Sequence, residues 1–341
     1  MSEVAFPVIG AAFVLWVVLP CCAAIAKVAL RLLEREGEGG ALHRLNARYV
    51  LLVGSSLLPL AWFFSAALHQ AESGQSVLAC LLDHDAAELC LEPAFFALLL
   101  SAGGLLSALQ RFRNGERAAF SPASKHPQLR ARIERVVAAR PELAVLRGRV
   151  GVTEARSFAL GTFGWFEPRV LIGEAFAGGL SDEMLASALG HEAEHVTSLD
   201  PLRYAVLRLA LAVNPVGRWL LDPHAARWLA AREAHCDREA VVRGSAPLPM
   251  ADAIVRAARP IAEVSAPALG TGDMAALKLR IGLLLAFAEQ PPARCCARTA
   301  PAFPAAVGLF VLSLLLPHQT GTAALDAVHF GAERALSFLW P

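Results

Sequence analysis

Four long runs without a single charged residue constrain this chain more than any other feature: residues 4–26, 49–68, 93–109 and 300–317. About 20 apolar residues in a helix cross the hydrocarbon core of a bilayer, and about 17 are tolerated. Hydrophobic residues make up 56% of the chain and charged residues 18%, against roughly half and a quarter in ordinary soluble domains. The runs therefore predict four transmembrane helices. A cleaved signal peptide fits the first run poorly, because Glu3 and no basic residue precede it.

Basic residues set the expected orientation. Lys27, Arg31, Arg35, Arg44 and Arg48 follow the first run, Arg111, Arg113 and Arg117 follow the third, and Arg294 and Arg298 precede the fourth. The segment 69–92 holds neither Lys nor Arg. This pattern predicts a multi-pass membrane protein, and the heavy use of Ala, Leu and Arg suits a bacterium, which makes the membrane a bacterial plasma membrane. The basic flanks face the cytoplasm, and the N-terminus, an outer loop at 69–92 and a short tail at 318–341 lie outside. Membrane lipid is one expected partner. The net charge of +1 gives no electrostatic case for nucleic acid.

Residues 110–299 are the only stretch long enough for a domain outside the membrane. It reads as α+β. Helices are predicted over 122–139, 181–198, 202–221, 224–243 and 274–288. Strands are predicted over 147–153 and 169–173, with a third at 158–163. The helix at 202–221 is apolar but interrupted by charges and Pro215, which suits a buried or membrane-grazing helix rather than a span.

That domain carries His191-Glu192-Ala193-Glu194-His195. Histidines four apart share one helix face, so both imidazoles can reach one Zn²⁺ at ~2.0–2.1 Å. Glu192 stands between them as the general base that takes a proton from the attacking water. A catalytic zinc site needs a third protein ligand. Glu233, in Glu233-Ala234-His235-Cys236-Asp237, can supply it, and Asp237 lies one turn further along to orient a ligand histidine. One zinc per chain is expected.

The run "HEAEHVTSLD … NPVGRW … REAHCDREAVV" resembles the BlaR/MecR-type integral-membrane zinc metallopeptidases, the β-lactam sensor-transducers and their antirepressor relatives. Asp200, Asn214-Pro215, the Glu-x-x-Cys-Asp arrangement and Arg280-Ile281 carry the resemblance. It implies a gluzincin-type α+β peptidase domain inserted between the third and fourth of four transmembrane helices, in a mainly α membrane protein. It further implies zinc at His191, His195 and Glu233, general-base chemistry at Glu192, and a supporting role for Asp237. In that family the protease cuts itself or a cytoplasmic repressor, so a cytoplasmic protein or peptide is the expected substrate. The transducers carry a penicillin-binding sensor after the last span, and here residues 318–341 have no room for one.

Related gluzincins bind substrate by strand addition, which points to Ser157, Phe158, Ala159 and Gly161 as a substrate edge, an ordinary core strand being the alternative. No oxyanion-stabilising group stands out; His224 and His235 are the candidates. Cys80 and Cys90 share the outer segment, where a disulfide is permitted and two free thiols are the alternative. A quality-control or processing protease resembling the HtpX and CAAX-type enzymes, and a catalytically silent membrane receptor or scaffold, are the competing functions.

Overall fold

Ser181 caps a helix by accepting a hydrogen bond from the Met184 amide at 3.2 Å, and Asp182 and Glu183 sit in its positive first turn. The helix Asp182–Thr197 that follows is buried at every position from Leu185 to Val196. A helix buried all round is enclosed by other elements, and the rest of the fold is arranged about this one. The computed structural model describes residues 14–34, 44–72, 127–154, 158–263, 274–290 and 292.

In chain order, a π turn Val14–Val18 leads into α1 (Leu19–Glu34), followed by α2 (Leu45–Glu72) and α3 (Pro127–Ala138). A 3₁₀ turn Pro141–Leu146 precedes β1 (Val150–Thr153), β2 (Leu160–Phe163) and β3 (Arg169–Gly173). Then come α4 (Glu174–Gly178), the central α5 (Asp182–Thr197), α6 (Asp200–Val213), α7 (Gly217–Arg243), α8 (Pro247–Glu263) and α9 (Met274–Glu289).

The sheet order is β1-β3-β2, with β3 parallel to β1 and antiparallel to β2. β2 is thus an edge strand. Gly173 is required at the end of β3, because a Cβ there would collide with the Phe158 carbonyl oxygen. One face of α5 packs with α3, the 3₁₀ turn and β3 through Ile133, Leu146, Ile172, Leu185 and Leu189. A second core joins α1 and α2 to α6 and α7 through Leu30, Leu52, Leu207, Leu221 and Trp228. A third joins α7, α8 and α9 through Ala240, Met250 and Leu284.

Four transmembrane helices, the architecture expected from the apolar runs, are not supported. Among the described residues one helix, Val14–Glu34, is long and apolar enough to cross a membrane. The second run falls in α2, of which Leu45–Ala61 counts as a shorter apolar helix among the described residues. The third and fourth runs, the tail and the cysteines Cys80 and Cys90 lie outside the described residues. The multi-pass topology expected from the basic flanks is likewise not supported. For the second run the physical reason lies in the second core, which α2 shares with α1. Ala23, Ala26 and Leu30 of α1 and Leu45, Tyr49 and Leu52 of α2 are buried against α6 and α7. Hydropathy reports that a residue avoids water, and a protein core satisfies it as well as lipid does.

Local boundaries also moved. The predicted helix 202–221 is split in two, because Asn214 leaves helical geometry and its side chain accepts from the Val216 amide at 3.2 Å. The same Asn214 donates to the Leu19 carbonyl at 2.9 Å, tying the break to α1. Residues 147–149 form a turn, so β1 is shorter than predicted. α8 had no counterpart in the sequence reading. Its signal was present in Met250, Ala253, Ile254 and Ala257, one apolar face at helical spacing.

Trp228 is 2% exposed and its indole donates to the Leu45 carbonyl at 2.9 Å. Trp228→Ala should lower stability by about 3–5 kcal/mol, read by denaturant unfolding. Trp219→Ala, at a position 80% exposed, should change it by less than about 0.5 kcal/mol.

Candidate metal centre

His191 and His195 project from one face of α5 with ring centroids 4.7 Å apart. Their Nε2 atoms are 3.0 Å apart. α7 brings the third group: Glu233 Oε2 lies 3.3 Å from His191 Nε2, and Oε1 lies 3.5 Å from His195 Nε2.

Both rings are fixed from behind by carboxylates. His191 Nδ1 faces Asp237 Oδ1 at 2.7 Å, and His195 Nδ1 faces Asp200 Oδ2 at 2.8 Å. A carboxylate can only accept, so each Nδ1 carries the proton and each neutral ring turns its Nε2 lone pair toward Glu233. With both rings neutral, three acceptors converge on one point, an arrangement suited to a cation. Tetrahedral zinc with bonds of ~2.0–2.1 Å separates its ligand atoms by ~3.3 Å, and the three spacings bracket that value. His191, His195 and Glu233 could therefore hold a metal ion.

The route of the chain to Asp200 is strained. Leu199 adopts a φ of 53°, in the left-handed region, which costs roughly 1–2 kcal/mol for a residue with a Cβ. That turn folds α6 back under α5 and delivers Asp200, fully buried, to His195. Two arginines neutralise the buried carboxylates. Arg232 Nε reaches Asp200 at 2.8 Å. Arg280 of α9 grips Asp237 with Nε at 2.6 Å and Nη2 at 2.8 Å, while Nη1 reaches Glu233 at 3.1 Å.

Electrostatics follow this wiring. Burial pushes the Glu233 carboxyl up, but His195, His191 and Arg280 together hold it well below the usual carboxylate range. Burial likewise opposes ionisation of Asp237 and Asp200, and Arg280 and Arg232 outweigh it, so both are lowered. Burial pulls the two imidazoles down, yet they end above their ordinary value. Asp237 raises His191, and Cys236 and Glu233 raise His195.

His195, Asp200 and Cys236 also lie close enough to hold a metal by distance alone. Arg232 already shares Asp200, and burial pushes the Cys236 thiol up, so its thiolate is disfavoured. The His191, His195 and Glu233 group is the better cradle.

Glu192 is buried and accepts a hydrogen bond from Thr162 Oγ1 of β2 at 2.6 Å. Its carboxylate lines the same cavity, of about 480 Å³, as the three cradle residues. Glu194 pairs instead with Arg243 at 2.9 Å and lines no part of it. Phe158, Leu160, Phe163, Met250, Ile254 and Leu277 form the apolar walls.

Of the substrate-edge residues, Phe158 and Gly161 line the cavity. Ala159 is held to the sheet, its carbonyl accepting from the Gly173 amide at 2.8 Å. Ser157 is outside the described residues. His224 lies against Glu34 of α1 at 2.9 Å, and neither it nor His235 lines the cavity. Burial, Arg232 and Arg238 push His235 down to about 4.

Thr162, Asp200, Tyr204, Arg232 and Arg280 were not assigned roles from sequence. Only Asp200 and Arg280 carried a signal, as matches to the family pattern. No family model, no curated protein and no solved structure matches the chain.

Because the imidazole pKa values lie above 6.5, a metal must displace protons until the pH exceeds them. Zinc affinity, measured by calorimetry, should therefore rise from pH 6 to pH 8. Asp237→Asn should weaken it by about 10–100-fold at the higher pH.

Proposed function

We propose that this chain is a zinc-dependent endopeptidase held at the plasma membrane through the helix Val14–Glu34, acting on a cytoplasmic protein segment or on itself. The observation that carries this reading is the meeting of three convergent acceptors and a buried, oriented carboxylate in one cavity. The likeness to BlaR/MecR-type peptidases, resting on the residues quoted above, supports the same activity and a role in signalling.

Zinc in this cradle supplies Lewis acidity and lowers the pKa of water toward ~7. The chain's own groups do the rest. Glu192, steadied by Thr162, accepts a proton as the water oxygen forms its bond to the peptide carbonyl carbon. It returns that proton to the amide nitrogen as the carbon–nitrogen bond breaks, leaving an acid, an amine and an unchanged Glu192. Asp237, Asp200 and Arg280 keep the imidazoles and Glu233 aimed throughout. The edge strand β2, beside Glu192, offers a substrate backbone its unpaired groups.

Glu192→Gln retains the shape and a hydrogen bond to Thr162 but cannot take the proton. The variant should bind zinc as the native protein does. Self-cleavage, or cleavage of labelled casein by purified protein in detergent, should fall by at least ~10²–10⁴-fold. Undiminished cleavage, with contaminating proteases excluded, would refute the reading and leave a receptor or scaffold.

A further inference from the structure

Attack by water on a peptide bond places negative charge on the carbonyl oxygen, and the surroundings of the cradle are poor in donors to receive it. Glu192, Glu233 and Asp200 all line the cavity, and each is an acceptor. An oxyanion needs a hydrogen-bond donor already aimed at its position.

Five described residues with side-chain donors line the cavity: Thr162, His191, His195, Tyr204 and Arg280. Thr162 is committed to Glu192 at 2.6 Å. The two imidazole Nδ1 groups are committed to Asp237 and Asp200 at 2.7 Å and 2.8 Å. Arg280 is spread over Asp237 and Glu233. Tyr204 differs. Among the described residues its hydroxyl has one hydrogen-bond partner, Glu233 Oε1 at 3.5 Å, beyond the length of a firm bond. Its ring, by contrast, is held edge-on against His195 at 6.3 Å and Trp228 at 6.0 Å. A fixed ring thus presents a weakly engaged O–H beside the cradle.

We propose that Tyr204 is a catalytic residue, its phenol donating a hydrogen bond to the substrate carbonyl oxygen as that oxygen becomes negative. This rests on the peptidase reading. The proton stays on the phenol throughout, and the bond shortens as charge develops. The long contact to Glu233 is the resting position from which the hydroxyl turns.

The test is Tyr204→Phe in the full chain, which keeps the ring against His195 and Trp228 and removes only the donor. Zinc affinity is measured on the metal alone, and kcat and KM on labelled casein. The proposal expects kcat to fall ~10²–10³-fold, with KM and zinc affinity within about threefold of native. An unchanged kcat overturns it. So does a parallel loss of zinc affinity, which would make Tyr204 a support for Glu233. If native protein cuts casein no faster than Glu192→Gln, the peptidase reading fails and this assignment with it. Native cleavage above that baseline, with no effect of Tyr204→Phe, defeats this assignment alone.

Discussion

The structure depends on keeping two buried carboxylates charged. Asp200 and Asp237 are both fully buried, and an ion in that setting is tolerated only when paired and hydrogen-bonded. Each is given an arginine and an imidazole: Arg232 and His195 for Asp200, Arg280 and His191 for Asp237. These chains decide which imidazole nitrogen keeps its proton, and hence where the two lone pairs point. They also draw four helices together, since the participants come from α5, α6, α7 and α9. Removing one partner of such a buried pair costs about 3–5 kcal/mol, so the site and the fold are secured by the same contacts.

α7 links this centre to the apolar N-terminal helices. Its later turns supply Arg232, Glu233 and Asp237, while its earlier turns carry Leu221 and Trp228 into the core shared with α1 and α2. His224 and Arg227 of α7 both meet Glu34, the last residue of α1. The helix able to cross a membrane is therefore bonded to the helix that bears a cradle carboxylate.

The two imidazoles of the cradle were legible in the sequence because their geometry is local, and Glu233 was read from its own motif on a later helix. The spacing of His191 and His195 fixes a shared face, and the four-residue step from Glu233 to Asp237 does the same on α7. The residues given no role from the sequence act across the fold. Arg280 reaches Asp237 over 43 residues of chain, Thr162 reaches Glu192 over 30, and Tyr204 reaches Glu233 over 29. No spacing rule reports such pairs. The membrane architecture failed for a different reason. Charge-free runs record only avoidance of water, and one face of α2 meets that need inside the protein. α8 was missed although Met250 and Ala253 lie on one buried face, because its small alanines blur the apolar stripe that larger side chains make plain.

A metal held by His191, His195 and Glu233 and a metal held in the neighbouring group that contains Cys236 differ in their donor atoms. X-ray absorption at the zinc edge on zinc-loaded protein separates the two. Zinc in the cradle of His191, His195 and Glu233 should show a first shell of nitrogen and oxygen alone at ~2.0–2.2 Å, with the outer scattering of two imidazoles. A sulfur scatterer at ~2.3 Å, lost on Cys236→Ser, would contradict it.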